Sequence, residues 1–143
     1  MDNATIVTIQ GLIKRFPMGK GEFTALDGIN LTIDKGEFSG IIGPSGSGKT
    51  TLLNIIGSLD TPTEGFVTVL GNDIRSLNAK KAAFLRKTQL GFIFQTYNLL
   101  PVHTVFENVE FPLLLLNLSA EKRKRMVSEA LEWLGISDKA KSR

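Results

Sequence analysis

The sequence predicts an α/β fold, and three observations carry that expectation. Short apolar runs at residues 5–9, 28–33, 38–42, 66–70 and 90–94 have strand character. The run at 38–42 leads straight into Gly43-Pro44-Ser45-Gly46-Ser47-Gly48-Lys49-Thr50, after which Leu52, Leu53, Ile55 and Ile56 take up helical spacing. Beyond about residue 100 the strand signal gives way to two helical stretches.

The elements follow in order. Residues 5–9 are β-like, and in 28–33 the apolar Ile29, Leu31 and Ile33 alternate with Asn30 and Thr32, the pattern of strands at a sheet edge with one wet face. Between them, residues 16–23 contain Pro17, Gly19 and Gly21 and are expected to form a loop. Lys35-Gly36-Glu37 is a turn before the strand at 38–42. The helix from Gly48 ends at a connector, 57–65, rich in Gly, Pro, Asp and Thr. A strand at 66–70, a turn at 71–73, a short helix at 78–86 and a strand at 90–94 closed by Gln95 come next. A helical stretch starts near Thr104, and a second follows Ser119, an N-cap residue with Lys122 three positions on. Met126, Val127, Ala130, Leu131 and Leu134 line one side of that second helix, and Gly135 fits its C-terminal cap.

Composition narrows the function classes. The chain has 143 residues, and 42% are apolar, enough for one globular core. Seventeen Lys and Arg against fourteen Asp and Glu give a net charge of +3 with no aligned basic stripe, so no nucleic-acid partner is expected. The densest cluster, Lys122-Arg123-Lys124-Arg125, reads as a solvated helix face, with contact to an anionic lipid or a partner as the smaller alternative. There is no cysteine, which removes disulfides and thiolate chemistry and fits a reducing compartment. The start, Met1-Asp2-Asn3-Ala4, is polar and acidic, so no export signal is expected. The greasiest stretch, 111–118, is shorter than a membrane span and contains Pro112 and Asn117.

The glycine-rich run carries the chemistry. Gly43, Gly46 and Gly48 permit backbone geometry and close approach that a Cβ would obstruct. The loop of Gly43, Ser45, Gly46, Ser47 and Gly48 can then turn successive N–H groups toward a phosphate, helped by the positive end of the helix that starts there. Lys49 reaches the β- and γ-phosphates, Thr50 supplies a hydroxyl for Mg²⁺, and Thr51 donates to a further phosphate oxygen. The pattern therefore points to ATP with Mg²⁺. The competing reading, a glycine-rich turn followed by Lys-Thr through chance, leaves the flanking strand and helix unexplained.

A phosphate loop alone does not separate kinases, GTPases, motors and transport ATPases. The rest of the chain resembles the nucleotide-binding subunits of ABC transporters. The resemblance runs through Ala25-Leu26-Asp27-Gly28, Gly36-Glu37, Thr51-Leu52-Leu53-Asn54, Leu59-Asp60-Thr61-Pro62-Thr63-Glu64-Gly65, Gly71-Asn72-Asp73-Ile74 and Gly91-Phe92-Ile93-Phe94-Gln95. The stretch Asn98-Leu99-Leu100-Pro101, Thr104-Val105, Glu107-Asn108-Val109 and Pro112-Leu113 is similar to the lipoprotein-releasing and macrolide-exporting branch.

That resemblance implies a P-loop NTPase fold of the ABC ATPase type, with N-terminal antiparallel strands and the beginning of a helical subdomain. It implies a partial nucleotide-binding core at 1–98 and a partial helical subdomain at 99–143. Phe16 is then the aromatic that stacks on adenine, the alternative being a phenylalanine that anchors a loop in the core. Gln95 resembles the family's glutamine that contacts Mg²⁺ or the attacking water, against the plain reading of a polar residue at a strand end. Catalytic roles are implied for Lys49 and Gln95. Exposed apolar surface near residues 97–105 matches the site where a membrane subunit or fused membrane domain docks, with packing inside the chain as the competitor. The implied location is cytoplasmic, on the inner face of the membrane, with a second nucleotide-binding domain as partner.

The family's signature, acidic strand, aspartate loop and switch histidine do not occur among these residues. Asp60 and Glu64 sit in a connector, and His103 precedes a helix, so none of the three is expected to stand in for them. The expectation is therefore an incomplete core that binds ATP without hydrolysing it alone, with the 38–42 strand exposing apolar side chains and unpaired backbone groups. A non-hydrolytic nucleotide-binding module and an inert remnant are the alternatives.

Overall fold

The computed structural model describes residues 4–143. Residues 1–3, part of the start expected to carry no export signal, lie outside the described residues. The chain forms two compact units, one up to residue 91 and one from 92 to 143.

The first unit is built on an antiparallel sheet of β1 (Thr5–Met18), β2 (Gly21–Asp34), β3 (Glu64–Val69) and β4 (Asn72–Asp73), in the order β2-β1-β3-β4. The expected loop at 16–23 is instead the end of a long hairpin, with Phe16 opposite Phe23 and Pro17 opposite Glu22. Only Gly19 and Lys20 make the turn, and Gly19 takes φ +61°. Pro17 is tolerated because β3 pairs with β1 only as far as Ile13, so past that point β1 is open on one side and Pro17 owes no N–H to a third strand.

Of the four register shifts in the hairpin, two bear on the core and the site. Gly11, at φ +56°, is an extra residue on β1, and its N–H donates to Asn30 Oδ1 at 2.9 Å. The bulge shifts the alternation, so that Ile9 and Leu12, three apart, are both buried. On β2, Lys14 faces Leu26 while Arg15 faces Thr24, which leaves Ala25 as the extra residue.

The two helices of this unit are α1 (Lys49–Ile56) and α2 (Ala79–Gln89). Leu52 and Ile55 of α1 are buried with Val7, Ile9, Leu12, Leu26, Val67, Val69, Ile74 and Leu85. Eight residues are too few for a stable helix in water, so α1 depends on that packing. Burying its two large apolar side chains contributes roughly 3–6 kcal/mol. Asn78 caps α2 by accepting from Lys81 N–H at 2.9 Å, and Arg86 Nη1 donates to Ser58 O at 2.6 Å, tying α2 to the end of α1.

The stretches 38–42 and 90–94, expected as strands, have no ladder partner in the sheet. Their residues are apolar enough for a strand, but pairing is supplied by a neighbour and not by the segment itself. Phe38, Ile42 and Ile93 are fully exposed.

In the second unit, α3 (Val105–Glu110) begins with a capping box: Thr104 Oγ1 accepts from Glu107 N–H, and Glu107 Oε2 accepts from Thr104 N–H at 2.7 Å. Pro112 then tightens the apolar run into a 3₁₀ turn, Phe111–Leu115, where a longer helix was expected. Next comes α4 (Ala120–Trp133), capped by Ser119 as predicted and followed by Gly135 at φ +69°. Val127 and Leu131 are its buried residues. Of the basic cluster, Lys122, Lys124 and Arg125 face solvent, whereas Arg123 turns inward to Glu110 (2.9 Å) and Leu118 O (2.9 Å). Among the described residues no helix is long and apolar enough to cross a membrane.

Candidate phosphate-binding site

The glycine-rich loop joins the unpaired 38–42 segment to the first turn of α1. Gly46 and Gly48 lie at φ +80° and +87°, where a Cβ is costly. Gly48 has a second constraint: a Cβ there would stand 2.6 Å from Ala25 O and 2.8 Å from Leu26 Cδ2. The bulge in β2 therefore places its backbone against the start of α1. At Gly43 a Cβ would meet Ser47 Oγ at 2.8 Å.

Lys49 bends back over the loop. Its Nζ donates to Gly43 O at 2.9 Å and Pro44 O at 2.7 Å, with Ser47 Oγ at 3.5 Å. The ammonium is thus held at the mouth of the loop it belongs to. Leu52 N–H donates to Gly48 O at 2.9 Å and closes the first helical turn. The N–H groups of residues 48–51 precede that point and have no acceptor within the helix. Together with the ammonium they form a positively polarised concavity suited to a polyphosphate. The Thr50 side of the first turn is exposed, so its hydroxyl is accessible to a cation carried by such a ligand. Backbone donors, a lysine and a hydroxyl fit ATP with Mg²⁺.

Phe16 lies on β1 and is 37% exposed. The ladder connects it to the loop: Lys14, two residues before it on the same strand face, pairs with Leu26, and Leu26 packs at Gly48. Lys14 was not singled out by sequence reasoning. Its Nζ sits 4.8 Å from the centroid of the Phe16 ring and donates to Asp60 Oδ1 at 2.6 Å and Thr61 O at 2.9 Å. The period of two along a strand puts Lys14 and Phe16 on one side, but nothing in the sequence pairs Lys14 with Asp60.

The acids of the connector are engaged in the fold. Asp60 binds Lys14, and Glu64 binds Arg15, which raises the Arg15 pKa above its ordinary value. Before the loop, Glu37 is held below the ordinary carboxylate range by the Ser39 hydroxyl and then by Asp34 N–H. His103 has a local role: its N–H donates to Leu100 O at 3.0 Å and its Nδ1 lies 3.7 Å from Glu107 Oε2. Gln95 belongs to the second unit, in an exposed irregular stretch with Thr96 and Tyr97. A groove of about 870 Å³ between the turn at 71–73 and α2 shares no residue with the phosphate loop.

Comparison with known proteins places the chain in a family. The ABC transporter family matches residues 26–143, from the second strand through the loop and both units. The chain belongs to the ABC transporter family. A methionine import ATP-binding protein, MetN, of Corynebacterium diphtheriae is 43% identical over 137 residues, 96% of this chain and 40% of that protein. The macrolide export ATP-binding/permease protein MacB of Brucella abortus is 42% identical over 139 residues, 97% of this chain and 22% of that protein. Among solved structures, a dimeric post-hydrolysis state of the ATP-binding cassette MJ0796 bound to ADP and Pi superposes with a TM-score of 0.85 at 39% identity, over 95% of this chain and 60% of that one. The chain spans 22–60% of the length of these relatives. An importer's protein and an exporter's match it equally well, so overall identity does not favour a transport direction. The α/β P-loop fold of the ABC ATPase type expected from the sequence is the fold of these neighbours.

Proposed function

We propose that this chain binds ATP with Mg²⁺ through residues 43–51 and Phe16, and that its parent activity is ATP-driven transport. The observation that carries the reading is Lys49, held at the loop mouth by Gly43 O and Pro44 O beside the free N–H groups of the first helical turn. In this reading Gly43, Ser45, Gly46, Ser47 and Gly48 wrap the β-phosphate, and Lys49 exchanges its two carbonyl contacts for β- and γ-phosphate oxygens. Thr50 holds the metal side, Thr51 donates to a further phosphate oxygen, and Phe16 carries the adenine. Mg²⁺, when bound, offsets the charge of the β- and γ-phosphates.

The transport role rests on family membership and on the names of the relatives, one an import protein and one an export protein with a permease portion. We take the location to be the cytoplasmic side of a membrane, with a membrane subunit or fused membrane domain as partner and a second nucleotide-binding domain facing the first. Export or lipoprotein release is the finer expectation, supported by the stretch from Asn98 to Leu113. A second reading, nucleotide binding without turnover by these 143 residues, is favoured by one observation: Asp60 and Glu64, the acids of the connector after α1, are tied to Lys14 and Arg15. Titration with Mg²⁺-ATP tests the binding. Saturable binding that Lys49→Ala weakens supports the proposal, and Mg²⁺-ATP binding indifferent to Lys49 contradicts it.

A further inference from the structure

We propose that Lys14, anchored by Asp60, is the positioning residue for the base platform, fixing Phe16 from one face so that the adenine of ATP stacks on the other. This rests on the nucleotide reading above and adds to it how the base end of the site is set.

The Lys14 side chain is only 11% exposed and its ammonium has three neighbours. Two of them, Asp60 Oδ1 and Thr61 O, fix where the charge sits, and the third is the Phe16 ring at 4.8 Å. A cation held that close to a ring centroid is attracted by the negative face of the ring. It occupies that face and restrains the ring's rotation. A flat heterocycle approaching Phe16 is left the opposite face, and the ring, 37% exposed, has surface to offer. A free phenylalanine would lose rotamer freedom on stacking, and a ring already held loses less.

The anchor also ties the base end to the phosphate end. Asp60 and Thr61 follow α1, whose first turn holds Lys49 and Thr50. Backbone bonds from Leu59 N–H (2.8 Å) and Asp60 N–H (3.2 Å) to Asn54 O fix that segment to the helix. Lys14 is therefore a strut between the platform and the helix that presents the phosphate loop. The distance from Phe16 to the triphosphate is set through it.

The test compares ATP with inorganic tripolyphosphate, both with Mg²⁺, by calorimetry on the full chain. Lys14→Met is expected to weaken ATP binding about five- to tenfold while tripolyphosphate binding changes less than about twofold. Lys14→Arg restores most of the ATP affinity, since it keeps a cation within reach of both Asp60 and the ring. In a Phe16→Leu background Lys14→Met has no further effect on ATP. Asp60→Asn, which loosens the anchor without removing the cation, shows the same selectivity for ATP and serves if Lys14→Met fails to fold. Equal loss of both ligands, or unchanged ATP binding, overturns the proposal. Should the unaltered chain bind neither ligand, the nucleotide reading itself fails and this inference falls with it. Should it bind both with Lys49 dependence but without the Lys14 selectivity, only this inference fails.

Discussion

Gly48 and Ala25 approach so closely that a Cβ on Gly48 would stand 2.6 Å from the Ala25 carbonyl oxygen. The contact joins the start of α1 to the bulge in β2, so Gly48 lets the sheet backbone brace the end of the phosphate loop. Gly48→Ala is expected to destabilise the protein by roughly 2–4 kcal/mol, from positive φ together with overpacking against backbone. Gly46→Ala has the same backbone penalty but open space around the Cβ, and is expected to cost about 1–2 kcal/mol. Urea unfolding of the two variants side by side measures the difference.

Ser58 is buried and takes φ +55° immediately after the cap of α1. Glycine is the residue suited to that conformation. Ser58→Gly is expected to raise stability by about 0.5–1 kcal/mol, read as a higher midpoint in thermal or urea unfolding. An unchanged or lowered midpoint would mean that the serine side chain contributes more than its backbone costs.

Glu107 gives the second unit a pH dependence with a defined sign. Hydrogen bonds from Thr104 N–H and then the Thr104 hydroxyl hold its carboxyl below the ordinary glutamate value of 4.5. Its folded pKa is therefore depressed relative to the unfolded chain, so the stabilisation is complete above the unfolded value and is lost as pH falls through the folded one. Glu107→Gln is expected to flatten the acid limb of the unfolding profile below about pH 4.5, and an acid limb identical to that of the parent would contradict the capping account.

Much of the local structure was legible because its signals are local. The loop from Gly43 to Thr50, the Ser119 cap and Gly135 depend on a few adjacent residues and came out where the sequence put them. Three features were not legible, each for a non-local reason. Residues 16–23 carry Pro and Gly like a loop, yet the ladder continues through Phe16 and Phe23 because β3 leaves that part of β1 free. The 38–42 and 90–94 runs have strand composition, but a strand is completed by a neighbour. Lys14 was invisible because its meaning depends on Asp60, 46 positions away.

The central claim is that Lys49 and its loop form a nucleotide site. The most direct measurement is the calorimetric affinity for Mg²⁺-ATP of the unaltered chain and of Lys49→Ala. The account predicts saturable binding at one site, weakened about 10- to 100-fold in the variant, the worth of a charge-assisted hydrogen bond to phosphate. Binding of equal strength in both, or no saturable binding in the folded unaltered chain, would contradict it.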